Sequence, residues 1–191
     1  YQISQLANVD VYKSSSLNAE RVLEFGAAHV AIATGAHWRS DGYGRTHQFP
    51  IPGTDCNNVL TPDDIMSGTK PKGTVLVYDD DHYYMGSVMA EQLVADGCQV
   101  ILATPESLAA SWTVNTLEQS FIQARLLELG VEIIPSHQLQ SIIDNSVALT
   151  CSYSGQTRTI DASSVVMVTS RVPDDALYQE LATDQDRLSE S

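Results

Sequence analysis

The sequence predicts an α/β protein in which a parallel β-sheet is layered with helices and joined by an antiparallel β-meander. Three observations carry this. Continuous apolar runs of strand length (TVLVY at 74–78, CQVILA at 98–103, SVVMVT at 164–169) call for cover on both faces, as parallel strands do. A helical pattern separates the first two, making a strand–helix–strand unit of ~30 residues that is parallel and right-handed. Between 139 and 160 the period changes to short alternating runs parted by Asp144-Asn145 and Ser154-Gly155, which are hairpin signals.

In chain order, residues 17–25 predict a short helix with Val22, Leu23 and Phe25 as apolar positions and Gly26 as its stop. Residues 29–34 (HVAIAT) form an apolar run expected as a strand covered on both faces. Residues 35–58, rich in Gly, Pro and polar side chains, predict a long loop, and such loops are uncommon unless they do something. Thr61-Pro62-Asp63-Asp64 is a helix start, with a capping hydroxyl, a proline at the first helical position and two acids at the positive end of the dipole. Gly68 ends that helix, and a basic Pro/Gly connector at 70–73 leads to the strand at 74–78. A helix over 86–95 precedes the strand at 98–103. A helix over 115–129, a strand at 131–134, the three-stranded meander and the strand at 164–169 follow. Pro173, Asp174 and Asp175 start a terminal helix, and the polar tail after Thr183 is expected to fray.

Composition excludes several functions. Ten Lys+Arg against 24 Asp+Glu give a net charge of −14, which argues against nucleic acid and against an anionic membrane surface. Hydrophobic residues at 43% suffice for a core. No apolar run approaches the ~20 residues of a membrane span. Tyr1-Gln2-Ile3-Ser4 lacks the basic and apolar regions of a signal peptide. Cys56, Cys98 and Cys151 are far apart with no CxxC spacing, which disfavours a cysteine-ligated metal and predicts reduced thiols in a cytoplasmic protein. The five histidines form no HxxxH pair, and Ser111 and Ser120 lie in no G-x-S-x-G elbow.

Val30-Ala31-Ile32-Ala33-Thr34-Gly35-Ala36, then Trp38, Asp41-Gly42 and Pro50-Ile51-Pro52-Gly53, resemble the "strand–ATGA–W…DG…IPG" stretch of the flavin oxidoreductases related to trimethylamine dehydrogenase. That group includes the dimethylamine and histamine dehydrogenases and 2,4-dienoyl-CoA reductase. The likeness continues through Leu60-Thr61-Pro62, the TVLVYDDDHYYMGSVMAEQL segment and Thr116-Leu117-Glu118 with Leu126 and Leu129. It ends at Val166–Arg171, which looks like a second "VLVTGR" strand end, and so covers most of residues 1–175. The resemblance implies a Rossmann-like three-layer fold of FAD/NAD(P)-binding type. It implies a larger parent with a TIM barrel carrying FMN, a 4Fe–4S cluster and two dinucleotide-type domains, of which this chain is a fragment without catalytic residues. On that reading, residues 1–60 are a partial piece of the FAD- or ADP-binding-type domain with the ATGA strand and long loop. Residues 61–175 are the NAD(P)-binding-type domain with its meander, and 176–191 the terminal helix and tail.

A working dinucleotide loop places glycines at the strand-to-helix turn, so that backbone and helix N-terminus approach the pyrophosphate. Here the turn is Asp79-Asp80-Asp81-His82-Tyr83-Tyr84-Met85-Gly86, and only Gly86 remains of GxGxxG. Like charges at ~4 Å near a surface are each worth on the order of 1–4 kcal/mol, so three carboxylates cancel much of the helix-end attraction. They read either as a divalent-cation site or as helix caps in a solvated acidic turn; their contiguity favours the caps. Glu106, after the second strand, is placed either to accept a ribose hydroxyl or to meet only water, and no Arg follows for a 2′-phosphate. Tyr83 and Tyr84 either fill the space of the missing glycines or stack on a ligand. Thr34, Gly35 and Ala36 form the better nucleotide candidate, since in the larger enzymes that strand tip faces an ADP or FAD moiety. Trp38 packs there or in the core, and Arg171 meets a phosphate or pairs with Asp174 or Asp175.

The cofactor-binding candidates are therefore Thr34, Gly35, Ala36, Asp79, Gly86, Glu106 and Arg171, with no catalytic or metal-binding residue. The amine dehydrogenases of the group pass electrons to an electron-transferring flavoprotein and carry a similarly altered loop. The resemblance thus implies a non-catalytic accessory domain whose parent holds FMN, 4Fe–4S and an ADP or FAD, with the TIM barrel and that flavoprotein as partners. The alternatives are an NAD(P)H-binding domain of a dienoyl-CoA reductase-like enzyme and a structural ADP-binding module, with a free-standing interaction protein last.

Overall fold

A computed structural model describes residues 3–189. The elements in chain order are α1 (Ala19–Glu24), β1 (Ala36–Trp38), β2 (Val59–Leu60), α2 (Pro62–Met66), β3 (Thr74–Asp79), α3 (Tyr84–Ala95), β4 (Gln99–Ala103), α4 (Gln119–Glu128), β5 (Glu132–Ile134), β6 (His137–Ile143), β7 (Ser146–Cys151), β8 (Thr157–Asp161), β9 (Ser164–Val168), β10 (Arg171–Pro173) and α5 (Ala176–Ser189). The contacts divide the chain into two units, Ala36–Val172 and a smaller one made of Tyr1–Gly35 with Pro173–Ser191.

The larger unit is the expected three-layer α/β arrangement. Its central sheet is parallel, in the order β2-β9-β3-β4-β5. Alternation along the buried strands sorts the core into two halves. Val75, Val77, Val166 and Val168 face α2, α3 and α4, packing with Ile65, Met89, Leu93 and Leu126. Leu76, Tyr78, Val165 and Met167 face the antiparallel sheet β6-β7-β8, packing with Leu139, Ile142, Val147 and Leu149. At ~25 cal/mol per Å² of apolar surface, each such fully buried side chain contributes about 1.5–3 kcal/mol. The helix start at Thr61 is a capping box. The Thr61 hydroxyl accepts the Asp64 N–H at 3.3 Å, the Asp64 carboxylate accepts the Thr61 N–H at 2.8 Å, and Pro62 follows the cap.

The smaller unit holds α1 and α5. Asn18 caps α1, its side-chain oxygen accepting the Arg21 N–H at 3.1 Å.

Three expectations are corrected. Residues 29–34 are not a strand: they carry no regular structure, and all but Ile32 are exposed. An apolar run becomes a buried strand only with neighbours at its edges and layers on its faces, and the described residues supply none there. The helix expected over 115–129 is split into a 3-10 helix, Ser111–Thr116, and α4, with Leu117 between them in the left-handed region at φ 63°. The terminal helix α5 runs to Ser189 in place of the frayed tail expected after Thr183. The extreme terminal residues of the expected leader-free start and polar tail lie outside the described residues.

Candidate functional site

The carboxyl end of β3 is where an open α/β sheet takes its ligand, and here the chain itself fills it. Asp79 and Asp80 are fully buried. The Asp79 carboxylate turns back over the strand end and accepts the N–H groups of Asp81 (3.2 Å) and His82 (3.0 Å) through Oδ1. Its Oδ2 has no partner. Burial, the largest influence, pushes this carboxyl up to about 7, with the Asp81 and Asp80 charges adding and the two N–H donors opposing.

Gly86 is explained by the same side chain. A Cβ at Gly86 would stand 2.5 Å from both Cγ and Oδ2 of Asp79. The close approach that a glycine permits is used by a carboxylate of this chain, in the turn where a pyrophosphate needs it. α3 then begins with Tyr83 at its N-cap and no side-chain cap.

Asp80 organises the cover. Its carboxylate accepts the Thr46 N–H (2.9 Å) and hydroxyl (2.6 Å), and lies 3.5 Å from His82 Nε2. A Cβ at Gly44 would meet Asp80 Oδ2 at 2.4 Å. The backbone N–H groups of Asp80 and Asp81 both donate to the Val168 carbonyl, at 2.8 and 3.1 Å, which ties the turn to β9. Arg45 stacks over the Trp112 ring at 4.0 Å and reaches Asp81 Oδ1 at 3.8 Å. The Trp112 backbone N–H donates to the His82 carbonyl at 3.0 Å.

The acidic turn is therefore not solvated, which corrects the expectation: the loop at 42–47 and Trp112 bury it. Of the two readings, capping is met in part, because Asp79 satisfies turn N–H groups ahead of α3. The divalent-cation reading finds no ligand set, since among the described residues no group of three or more His, Cys, Asp or Glu side chains is placed to hold a metal. Tyr83 and Tyr84 do not fill the glycine space. They pack edge-on with centroids 4.2 Å apart, and the Tyr84 hydroxyl bonds to Thr116 at 3.1 Å and to Glu118.

The other candidates scatter. Half-buried Glu106 donates its N–H to Thr104 Oγ1 at 3.3 Å, and its charge favours protonated His82. Arg171 lies over Trp38, 4.8 Å from the ring centroid, and pairs with neither Asp174 nor Asp175 among the described residues. Trp38 itself is core. Thr34 and Gly35 are exposed in the smaller unit, where the Thr34 hydroxyl bonds to the Asp174 carbonyl and the Gly35 carbonyl accepts the Asp174 N–H at 3.0 Å. Ala36 opens β1 in the larger unit. Asp79 and Gly86 are in contact, and Glu106 acts electrostatically on the same turn. Sequence reasoning missed Gly44, Arg45, Thr46 and Trp112; the signal available was the length of the loop that carries the first three.

Residues 60–168 match the model of the OYE-like second alpha/beta domain. The chain belongs to this family. It is 32% identical to the dimethylamine dehydrogenase of Hyphomicrobium sp. (strain x), over 88% of this chain and 26% of that one. Among solved structures it resembles 6-hydroxypseudooxynicotine amine oxidase (HisD) of Pseudomonas geniculata N1, at 41% identity and TM-score 0.93, covering 97% of this chain and 28% of that one. It also resembles histamine dehydrogenase of Rhizobium sp. 4-9, at 46% identity and TM-score 0.92, covering all of this chain and 30% of that one. The chain thus spans less than a third of each relative's length. The sequence resemblance to the amine dehydrogenase group and the Rossmann-like fold both hold. No helix among the described residues is long and apolar enough to cross a membrane.

Proposed function

We propose that this OYE-like second α/β domain is a non-catalytic part of a larger amine-dehydrogenase-like oxidoreductase and does not bind NAD(P)H. The observation that carries the reading is the Asp79 carboxylate lodged against Gly86, with Asp80 tying the loop at 42–47 over the same turn. A coenzyme pyrophosphate would need that close approach, and would meet buried carboxylates where donors are required. The residues here do not fit that group.

The amine dehydrogenase relatives support placing substrate oxidation at an FMN and a 4Fe–4S cluster in other parts of a cytoplasmic parent, with a TIM barrel as neighbour and an electron-transferring flavoprotein as acceptor. This chain's cysteines do not fit the cluster. Cys56, Cys98 and Cys151 are free, and Cys98 donates to the Pro71 carbonyl at 3.3 Å. The Thr34-Gly35-Ala36 segment supports a second reading, a structural ADP site. Gly35 is exposed and has φ +87°, a backbone conformation that glycine permits.

Calorimetric titration with NADH, NADPH and ADP tests these readings. No heat with either nicotinamide coenzyme is expected. Micromolar NADH or NADPH binding would refute the proposal in favour of a reductase domain, and ADP binding alone would select the structural ADP site.

A further inference from the structure

Residues 42–47 form a strap closed over the end of β3. The Thr46 N–H and hydroxyl are held by Asp80 at 2.9 and 2.6 Å, and Gly44 packs directly on the same carboxylate. The strap turns on itself through the Gly44 N–H and the His47 carbonyl at 3.0 Å, and the Tyr43 carbonyl accepts the Ser170 hydroxyl at 2.5 Å.

Two imidazoles sit at this closure with ring nitrogens that find no partner. His82 is buried, with Nε2 3.5 Å from Asp80 Oδ1 and Nδ1 unpartnered. His47 lies beside Tyr78, centroids 6.1 Å apart, and its Nε2 is buried and unpartnered. A neutral imidazole leaves one nitrogen as a bare lone pair, which needs no acceptor. A protonated one carries N–H on both nitrogens. Acid therefore places a charged, unsatisfied donor at each of these two buried atoms, and the closed strap offers neither an acceptor. We propose that residues 42–47 are an acid-released latch, in which protonation of His47 and His82 detaches the strap from Asp80 and uncovers the end of β3.

The groups facing these rings come from every neighbouring element. Asp80, Glu106 and Asp81 favour charged His82, Arg45 opposes it, and Asp79 holds its backbone N–H. Asp80 favours charged His47. On the strap's approach, Asp41 is engaged by Arg39, whose Nε lies 2.9 Å away. Burial outweighs the carboxylates at both histidines and holds them below the ordinary histidine value. At these two rings the closed form thus binds fewer protons than the open one and loses stability as pH falls through ~6.5, while the buried Asp79 carboxyl at the same strand end takes up a proton as pH falls through about 7 and opposes the release. The latch is independent of whether a coenzyme binds this end of the sheet.

Amide hydrogen exchange of the full chain, read by NMR at pH 7.5, 6.5 and 5.5 and corrected for intrinsic rates, tests the latch. An exposed imidazole at pH 5.5 is protonated about ten to one. In the Asp79→Asn protein, where the opposing carboxyl is gone, protection of the Thr46 amide should therefore fall about tenfold for each histidine that charges on opening, while that of Leu76 in β3 does not follow it. Adding His47→Gln and His82→Gln to that protein should abolish this pH dependence. A Thr46 to Leu76 ratio that stays constant across the range in the Asp79→Asn protein would overturn the latch. Titration of the two imidazoles in the unaltered protein provides a reading that needs no variant. Protonation midpoints that coincide with loss of Thr46 protection support the latch. Midpoints near 6.5 with the Thr46 signal unchanged refute it.

Discussion

Replacing Asp79 with Asn removes one buried titration while keeping the shape and the oxygen that accepts the Asp81 and His82 N–H groups. The folded carboxyl titrates near 7 against an ordinary 3.8. Folded Asp79 therefore binds a proton at pH values where the unfolded chain has lost it. Its contribution is fully present below about pH 4 and is lost as pH rises through 7, at about 1.4 kcal/mol per pH unit and about 4 kcal/mol in all. Asp79 is completely buried, so solvent screening calls for no discount. Urea denaturation of both proteins at pH 4, 5.5, 7 and 8.5 reads the difference, in which every other titrating group cancels. The Asp79→Asn protein should gain about 4 kcal/mol relative to the unaltered one between pH 4 and 8.5, whatever fixed offset its new amide brings. Stability curves that run parallel in pH would refute the claim that this carboxyl is held in its protonated range by burial.

Gly86→Ala should destabilise by about 1–3 kcal/mol, because its Cβ would fall 2.5 Å from two buried atoms of Asp79. Most of that loss should vanish in an Asp79→Ala background, a coupling that a double-mutant cycle measures. Thr61→Ala breaks the capping box of α2 and should cost about 1 kcal/mol in thermal denaturation, with the sheet's circular dichroism unchanged.

The parallel strands were legible because a strand covered on both faces must be a continuous apolar run, as 74–78 and 164–169 are. The meander was legible because one wetter face imposes alternation and its turns carry Asp144-Asn145 and Ser154-Gly155. The cap at Thr61 and Pro62 is a local interaction and was read without tertiary information. Residues 29–34 failed for the opposite reason: the run states a preference, and neighbours decide whether it is met. The break at Leu117 was hidden because a left-handed leucine interrupts no hydrophobic period. At the site, the loss of the glycine pattern was visible but not what replaced it. Whether Asp79 and Asp80 meet water depends on Thr46, Arg45 and Trp112, which lie 32 to 35 positions away and in segments without periodicity. Gly86 is a caution of the same kind, since the glycine left from a coenzyme pattern is required by a carboxylate.

The unpaired ribbon at 29–34 has a practical consequence for anyone handling this chain. Val30, Ala31 and Ala33 are exposed in an apolar stretch whose β-branched Val30 and Ile32 favour extended backbone, with no charge among residues 30–36, a profile from which intermolecular cross-β stacking grows. Concentrated preparations should therefore self-associate through this stretch first, and a lysine placed at Ala31 should suppress it without touching the sheet.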